Sequence, residues 1–237
     1  MTLLAFDTSS RDASLAVLRD GEIVLEYNFS SRDDLSAMMI PSLEFLLSSL
    51  GLKLAQVDLF AAALGPGLFT GIRVGLATLK GLNLAAGKPM VGVNTLEALA
   101  FKFADTRHTV VPMIDARKGE IYTAAYAFDP PPAGGEMVER LRPCLLKLEE
   151  AAPLLAALTD KIFVGSGAEN YGELLRRDFP DGRLLYRSNF LASEIGRIAL
   201  TRFQRGQYAT DPQDLHPVYI RRPDAETRRP GRSGDVD

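Results

Sequence analysis

The sequence predicts a duplicated α/β fold. Short apolar strands alternate with segments of helical period, and strand-rich stretches open twice, near residues 1 and 110. Each stretch also carries an aspartate six positions ahead of its next strand. In "LLAFDTSSRDASLAVL" Asp7 precedes Ala13, and in "VVPMIDARKGEIYTAAYAF" Asp115 precedes Ile121.

The elements follow in order. Leu3–Phe6 and Ala13–Leu18 are apolar runs, Arg19-Asp20-Gly21 is a turn, and Ile23–Phe29 is a third strand. Leu35, Met38, Met39, Leu43, Leu46, Leu47 and Leu50 recur at helical spacing. Gly51 is placed to cap that helix, and Pro41 predicts a kink or a late start. Val57–Leu64 is a buried strand, followed by the glycine-rich "LGPGLFTGIRVGLATLKGL". Met90–Val93 is a strand, and Asn94 with Glu97 predicts a capping box for the helix in "NTLEALAFKFA". After a boundary near 101–109, a strand ends at Asp115 and another starts at Ile121. Asp129–Glu136, "DPPPAGGE", has the composition of a surface loop. "KIFVGSGAENYGELL" is strand, glycine turn and helix. "SNFLASEIGRIALTRFQRGQY" is a long amphipathic helix with Ser188 as its cap and Gly206 near its end. Pro223–Asp237 holds arginine, proline and glycine with almost nothing apolar, which predicts a disordered tail.

Composition narrows the function. A chain of 237 residues with 46% apolar and 24% charged residues buries an ordinary globular core. Its net charge of −3 excludes a broad electrostatic footprint for nucleic acid, so an RNA-related role needs a more basic partner. The single cysteine, Cys144, excludes an internal disulfide and a CxxC metal site, and fits a reducing cytoplasm. "MTLLAFDTSS" lacks the basic start and long apolar core of a signal peptide, and no apolar run has the length to cross a bilayer.

The glycine-rich segment raises a phosphate-loop reading. A P-loop needs a lysine and a hydroxyl after its glycines, and Ile72 and Arg73 stand there instead. A dinucleotide fingerprint also fails, because its third glycine arrives one place late, at Gly71. With a helix starting near Thr70, Gly71, Gly75 and Thr78 share a face that Gly81 and Leu82 continue. Two readings remain open: tight packing on the chain's own sheet or neighbouring helix, or close approach by another subunit. Asp7, Thr8 and Ser9 close the first strand, where they either position magnesium or satisfy a local turn. Asp115 carries the same alternatives, with Arg117 and Lys118 beside it, and "GSGAEN" (Gly165–Asn170) is similar to a nucleotide-contacting turn. His108 and His216 stand far apart, so a zinc or iron site of the usual kind is not expected, and the G-x-S-x-G elbow of serine hydrolases is absent.

Together "LLAFDTSS", "ALGPGLFTGIRVGLATLKGL", "GVNTLEALA", "MIDARKGEIYTAAY" and "HPVYIR" resemble the TsaB family, over roughly residues 1–222. The resemblance implies an α/β fold of two ribonuclease-H-like lobes, the actin/sugar kinase/heat-shock chaperone (ASKHA) superfold. The lobes would span 1–103 and 104–222, with 223–237 as tail. It implies a non-catalytic, cytoplasmic subunit beside the catalytic TsaD and the ATPase TsaE. Their complex transfers threonylcarbamoyl from its adenylate to the adenosine beside the anticodon. ATP and tRNA would be engaged by the complex, the chain would need no cofactor or membrane, and it would form a homodimer where TsaD is absent. The catalytic relative holds metal with a histidine pair in its first helix, and "SRDDLSAMMIPSLEFLL" has neither histidine. Asp33-Asp34-Leu35 stand where the family often has histidine-serine-glutamate, and Leu68 stands where serine is common. The resemblance implies a partner interface at Met38, Met39, Leu43, Leu46, Gly71, Val74, Gly75, Thr78 and Leu82. A vestigial nucleotide site would use Asp7, Thr8, Ser9, Asp115, Gly165 and Gly167. The alternative from another class is an ATP-dependent phosphotransferase of the same superfold, using Asp7 and the "GSGAEN" turn. A peptidase is a third, disfavoured by the missing metal pair and elbow.

Overall fold

The computed structural model describes residues 1–30, 35–129 and 136–221. Its first half runs β1 (Thr2–Asp7), β2 (Asp12–Arg19), β3 (Glu22–Ser30), α1 (Leu35–Ser49), β4 (Leu59–Ala63), α2 (Phe69–Ala86), β5 (Met90–Val93) and α3 (Thr95–Phe101). Its second half runs β6 (Thr109–Arg117), β7 (Glu120–Asp129), β8 (Glu136–Lys147), α4 (Leu148–Ala156), β9 (Lys161–Val164), α5 (Ser166–Asn170), α6 (Gly172–Asp178), β10 (Arg183–Leu184) and α7 (Ala192–Gln204). The two sheets are ordered β3-β2-β1-β4-β5 and β8-β7-β6-β9-β10. In each, the first three strands are antiparallel and the last two join in parallel. The duplication therefore extends to every strand pairing.

The period of two along β1 and β2 divides the first core cleanly. Leu4, Phe6, Leu15 and Val17 face α1 and α2, meeting Met39, Leu43, Leu46 and Leu79. Leu3, Ala5, Ala16 and Leu18 face a second cluster that also contains Val110, Tyr126, Phe128 and Ile162 of the other sheet. Both helices inside that shared core cross over. The helix α3 packs on β6 and β7, and α7 packs on β1 and β2. Ser14 fixes the start of α7 by accepting from the N–H groups of Leu191 and Ala192 at 3.0 and 2.9 Å. The division of the chain near residue 104 thus separates the sheets but not all of their helices.

Several local expectations change. Asn94 caps α3 by accepting from the Leu96 N–H at 2.8 Å, but Glu97 turns away to Arg202, at 2.6 Å. Ser188 does not cap α7, which starts after Leu191. Its hydroxyl accepts from Lys102 instead. Pro41 lies inside α1. The strand β8 and the helix α4 have no counterpart among the expected elements. Charged residues interrupt the apolar alternation of β8, and Pro143 and Pro153 stand inside the two elements. Asp33, Asp34, the middle of the Asp129–Glu136 loop and the tail lie outside the described residues.

The glycine-rich segment resolves into two uses. Gly71 and Gly75 are buried, and a Cβ at either would land well inside the contact distance of Thr8: its carbonyl oxygen for Gly71, its hydroxyl for Gly75. The clearance admits the end of β1, not a partner's helix. Met39, Leu43 and Leu46 are likewise committed to the chain's own core. Of the expected interface residues, Met38 is exposed, and Val74, Thr78 and Leu82 are half-buried. Gly81 differs from its neighbours because it is exposed and a Cβ there would meet nothing within 4 Å.

Two substitutions separate these uses in urea unfolding of the free chain. Gly75→Leu forces α2 off the sheet and lowers stability by about 1–3 kcal/mol or more, as overpacking does. Gly81→Ala fills open space on an exposed helix and raises stability by up to about 1 kcal/mol. Equal effects at the two positions would refute the assignment.

Candidate functional site

Two surfaces qualify as sites. The first is a cleft of about 690 Å³ between the ends of β1 and β6. The β1–β2 turn contributes Ser9, Ser10 and Arg11, and the β6–β7 hairpin contributes Asp115 and Arg117. Phe69 and Ile72 of α2, Ser166 and Asn170 of α5, Tyr122, and the segment ending in Tyr219 and Arg221 complete its walls.

The paired aspartates adopt the same local turn. Asp7 Oδ1 accepts from the Ser9 N–H at 2.8 Å, and Asp115 Oδ1 accepts from the Arg117 N–H at 2.8 Å. Their surroundings differ. Asp7 is 1% exposed, does not line the cleft, and its Oδ2 has no hydrogen-bond partner among the described residues. Burial pushes its pKa from 3.8 up to about 6, against the opposing pull of hydrogen bonds from Ser9 and Thr8 and of the Lys102 charge. Asp115 opens on the cleft, and its Oδ2 accepts from Asn170 at 2.9 Å while its own N–H donates to Ser166.

The expected nucleotide residues are therefore divided. Ser9 and Asp115 reach the cleft, and Asp7, Thr8, Gly165 and Gly167 do not. Thr8 is spent on packing, since its hydroxyl donates to the Gly71 carbonyl at 2.8 Å. Gly165 has φ +93°, and Gly167 lets α5 settle on Met113 of β6. Ser166 and Asn170 of the expected "GSGAEN" turn do line the cleft, whereas sequence reasoning missed Arg11, Phe69, Tyr122, Tyr219 and Arg221. "HPVYIR" carried a signal for the last two, but nothing in its spacing placed it against the glycine-rich turn. Among the described residues, no three histidine, cysteine, aspartate or glutamate side chains come together as metal ligands.

The second surface is the outer side of α1 and α2. Met38, Ile40 and Phe45 of α1 are exposed, and Leu84 of α2 is 76% exposed. Ala77 and Gly81 lie one turn apart on the exposed side of α2. This is apolar surface with room for close approach, on two helices that touch each other.

The buried carboxyl makes a pH prediction. With its folded pKa above the unfolded value, Asp7 binds more protons in the folded state between about pH 4 and 6, so its contribution to stability is lost as pH rises through that window. The gap corresponds to about 3 kcal/mol. Asp7→Asn should therefore gain stability relative to the parent chain by about that much between pH 4 and pH 7. Parallel stability curves for the two proteins would contradict the burial effect.

Comparison with known proteins agrees with this architecture. The family described as "TsaD: tRNA N6-adenosine threonylcarbamoyltransferase" matches residues 30–201. The Escherichia coli tRNA threonylcarbamoyladenosine biosynthesis protein TsaB is 31% identical, over 98% of this chain and 100% of that one. A solved Pseudomonas aeruginosa structure, described as similar to the peptidase YeaZ, superposes with a TM-score of 0.79 at 30% identity, covering 93% of this chain and 99% of that chain. A ROK family protein from Streptococcus pneumoniae, at 9% identity and TM-score 0.50 over 86% of this chain and 100% of that one, shares the fold alone. The two like sheets are the ribonuclease-H-like lobes of the ASKHA superfold, and the chain belongs to the TsaB family.

Proposed function

We propose that the chain serves tRNA threonylcarbamoyladenosine biosynthesis as a non-catalytic subunit that docks a TsaD-type threonylcarbamoyltransferase. Family membership supports the pathway. The observation that carries the docking role is the outer face of α1 and α2, where Met38, Ile40, Phe45 and Leu84 are left in solvent beside the open Gly81. An apolar helix pair of this kind gains from burial at about 25 cal/mol per Å². A partner matching the same family over most of this chain's length would offer a similar helix pair, allowing like helices to pack against like. Without TsaD, a second copy of this chain is the occupant. The net charge of −3 favours tRNA contact through the complex, with ATP handled by TsaE.

The test is reconstituted threonylcarbamoylation with TsaD, TsaE and the adenylate supplier, with and without this chain. Leu84→Asp and Gly81→Arg change exposed positions, so each variant should stay folded, with Gly81→Arg no less stable than the parent, as for Gly81→Ala. Each should weaken co-purification with TsaD by roughly 30-fold, the loss expected at an interface hot spot, and modification should fall in parallel. Undiminished modification without the chain would end the proposal, and intact binding by both variants would remove this face from it.

A further inference from the structure

The segment 215–221 crosses the interlobe cleft and is fastened differently at its two ends. On the first lobe, the Val218 N–H donates to the Leu64 carbonyl at 2.7 Å. The Tyr219 ring lies 5.3 Å from that of Phe69, and its hydroxyl accepts from Arg73 Nε at 3.2 Å. The Arg73 guanidinium in turn sits 3.9 Å over the Phe69 ring. On the second lobe, Arg221 donates to Glu120, the first residue of β7, in a pair whose side chains are 27% and 29% exposed. Between these points Val218, Tyr219, Ile220 and Arg221 all line the cleft.

We propose that residues 215–221 are a clasp over the cleft, hinged on Leu64, Phe69 and Arg73 and caught on Glu120, so that parting Arg221 from Glu120 opens the cleft. The hinge combines a backbone hydrogen bond, ring contact and a stacked guanidinium. Ring contact and the backbone bond do not depend on charge. The catch is a partly exposed ion pair, which water and salt weaken. The two ends therefore release under different conditions, and the catch yields first. Arg11 and Arg117 are exposed with the clasp closed, and opening uncovers the half-buried Tyr122 behind it. The device is independent of what docks on α1 and α2.

The experiment uses the full chain with Cys144→Ser and a reporter thiol from Ser166→Cys inside the cleft. Glu120→Gln removes the charge of the catch and keeps its shape, and Glu136→Gln, which breaks the surface pair with Arg205, is the control. Maleimide labelling should accelerate about fivefold in Glu120→Gln, the population change expected from losing one such pair, and not in Glu136→Gln. High salt should accelerate the parent and leave Glu120→Gln unchanged. The Val218 amide should stay protected from hydrogen exchange throughout, because the hinge holds. Equal labelling of Glu120→Gln and the parent would overturn the clasp. So would acceleration accompanied by loss of Val218 protection or of thermal stability, which marks general unfolding.

Discussion

The contact between the end of β1 and the first turns of α2 sets the position of both candidate surfaces. Thr8 presses its carbonyl against Gly71 and its hydroxyl against Gly75, and donates that hydroxyl to the Gly71 carbonyl. The next residue, Ser9, accepts from the Leu68 N–H at 2.6 Å. These contacts fix the height and rotation of α2 over the sheet. Its first turn then walls the cleft with Phe69, and its later turns present Ala77, Gly81 and Leu84 outward. Any side chain at 71 or 75 would move the helix and both surfaces with it.

The lobes are joined at their base by apolar packing and at the cleft by polar contacts. The crossing of α3 and α7 places each helix on the other half's sheet, so a single cluster runs through both. Arg202 of α7 ties β5 and α3 together, donating to the Gly92 carbonyl and to Glu97. Across the cleft, the final segment holds the second lobe through the pair between Arg221 and Glu120. Motion between the lobes is therefore cheapest at the cleft end and most expensive at the shared core.

Most of the architecture was legible because burial imposes period. The strands β1, β2 and β4, and the helices α1, α2 and α7, each bury an apolar face at a regular period and could be read from spacing. The edge strand β8 could not, because its residues are exposed or half-buried and carry charges on the solvent side. Side-chain partners were harder still. Whether Glu97 closes a capping box or reaches Arg202 depends on a residue more than a hundred positions away. The small-residue face of α2 was visible in sequence, but its direction was not. Spacing grouped Gly71 with Gly75, and only the sheet beneath them decides that they face inward while Gly81 faces solvent.

The two aspartates show how far a shared local motif determines chemistry. Asp7 ends β1, whereas β6 runs two residues past the expected end at Asp115, to Arg117; both aspartates close the same two-residue turn. The end of β1 lies beneath the eighteen-residue α2, whose glycines let it come down on Thr8. The end of β6 is met by the five-residue α5, whose last residue, Asn170, reaches Asp115 with its amide. One carboxylate is consequently stripped of water and drawn toward its neutral form, and the other keeps a donor and the solvent of the cleft. A ligand entering the cleft meets Asp115 and the guanidinium groups of Arg11 and Arg117, whereas Asp7 is beyond its reach. The same packing that gives α2 its outward face therefore removes one of the two acids from the cleft.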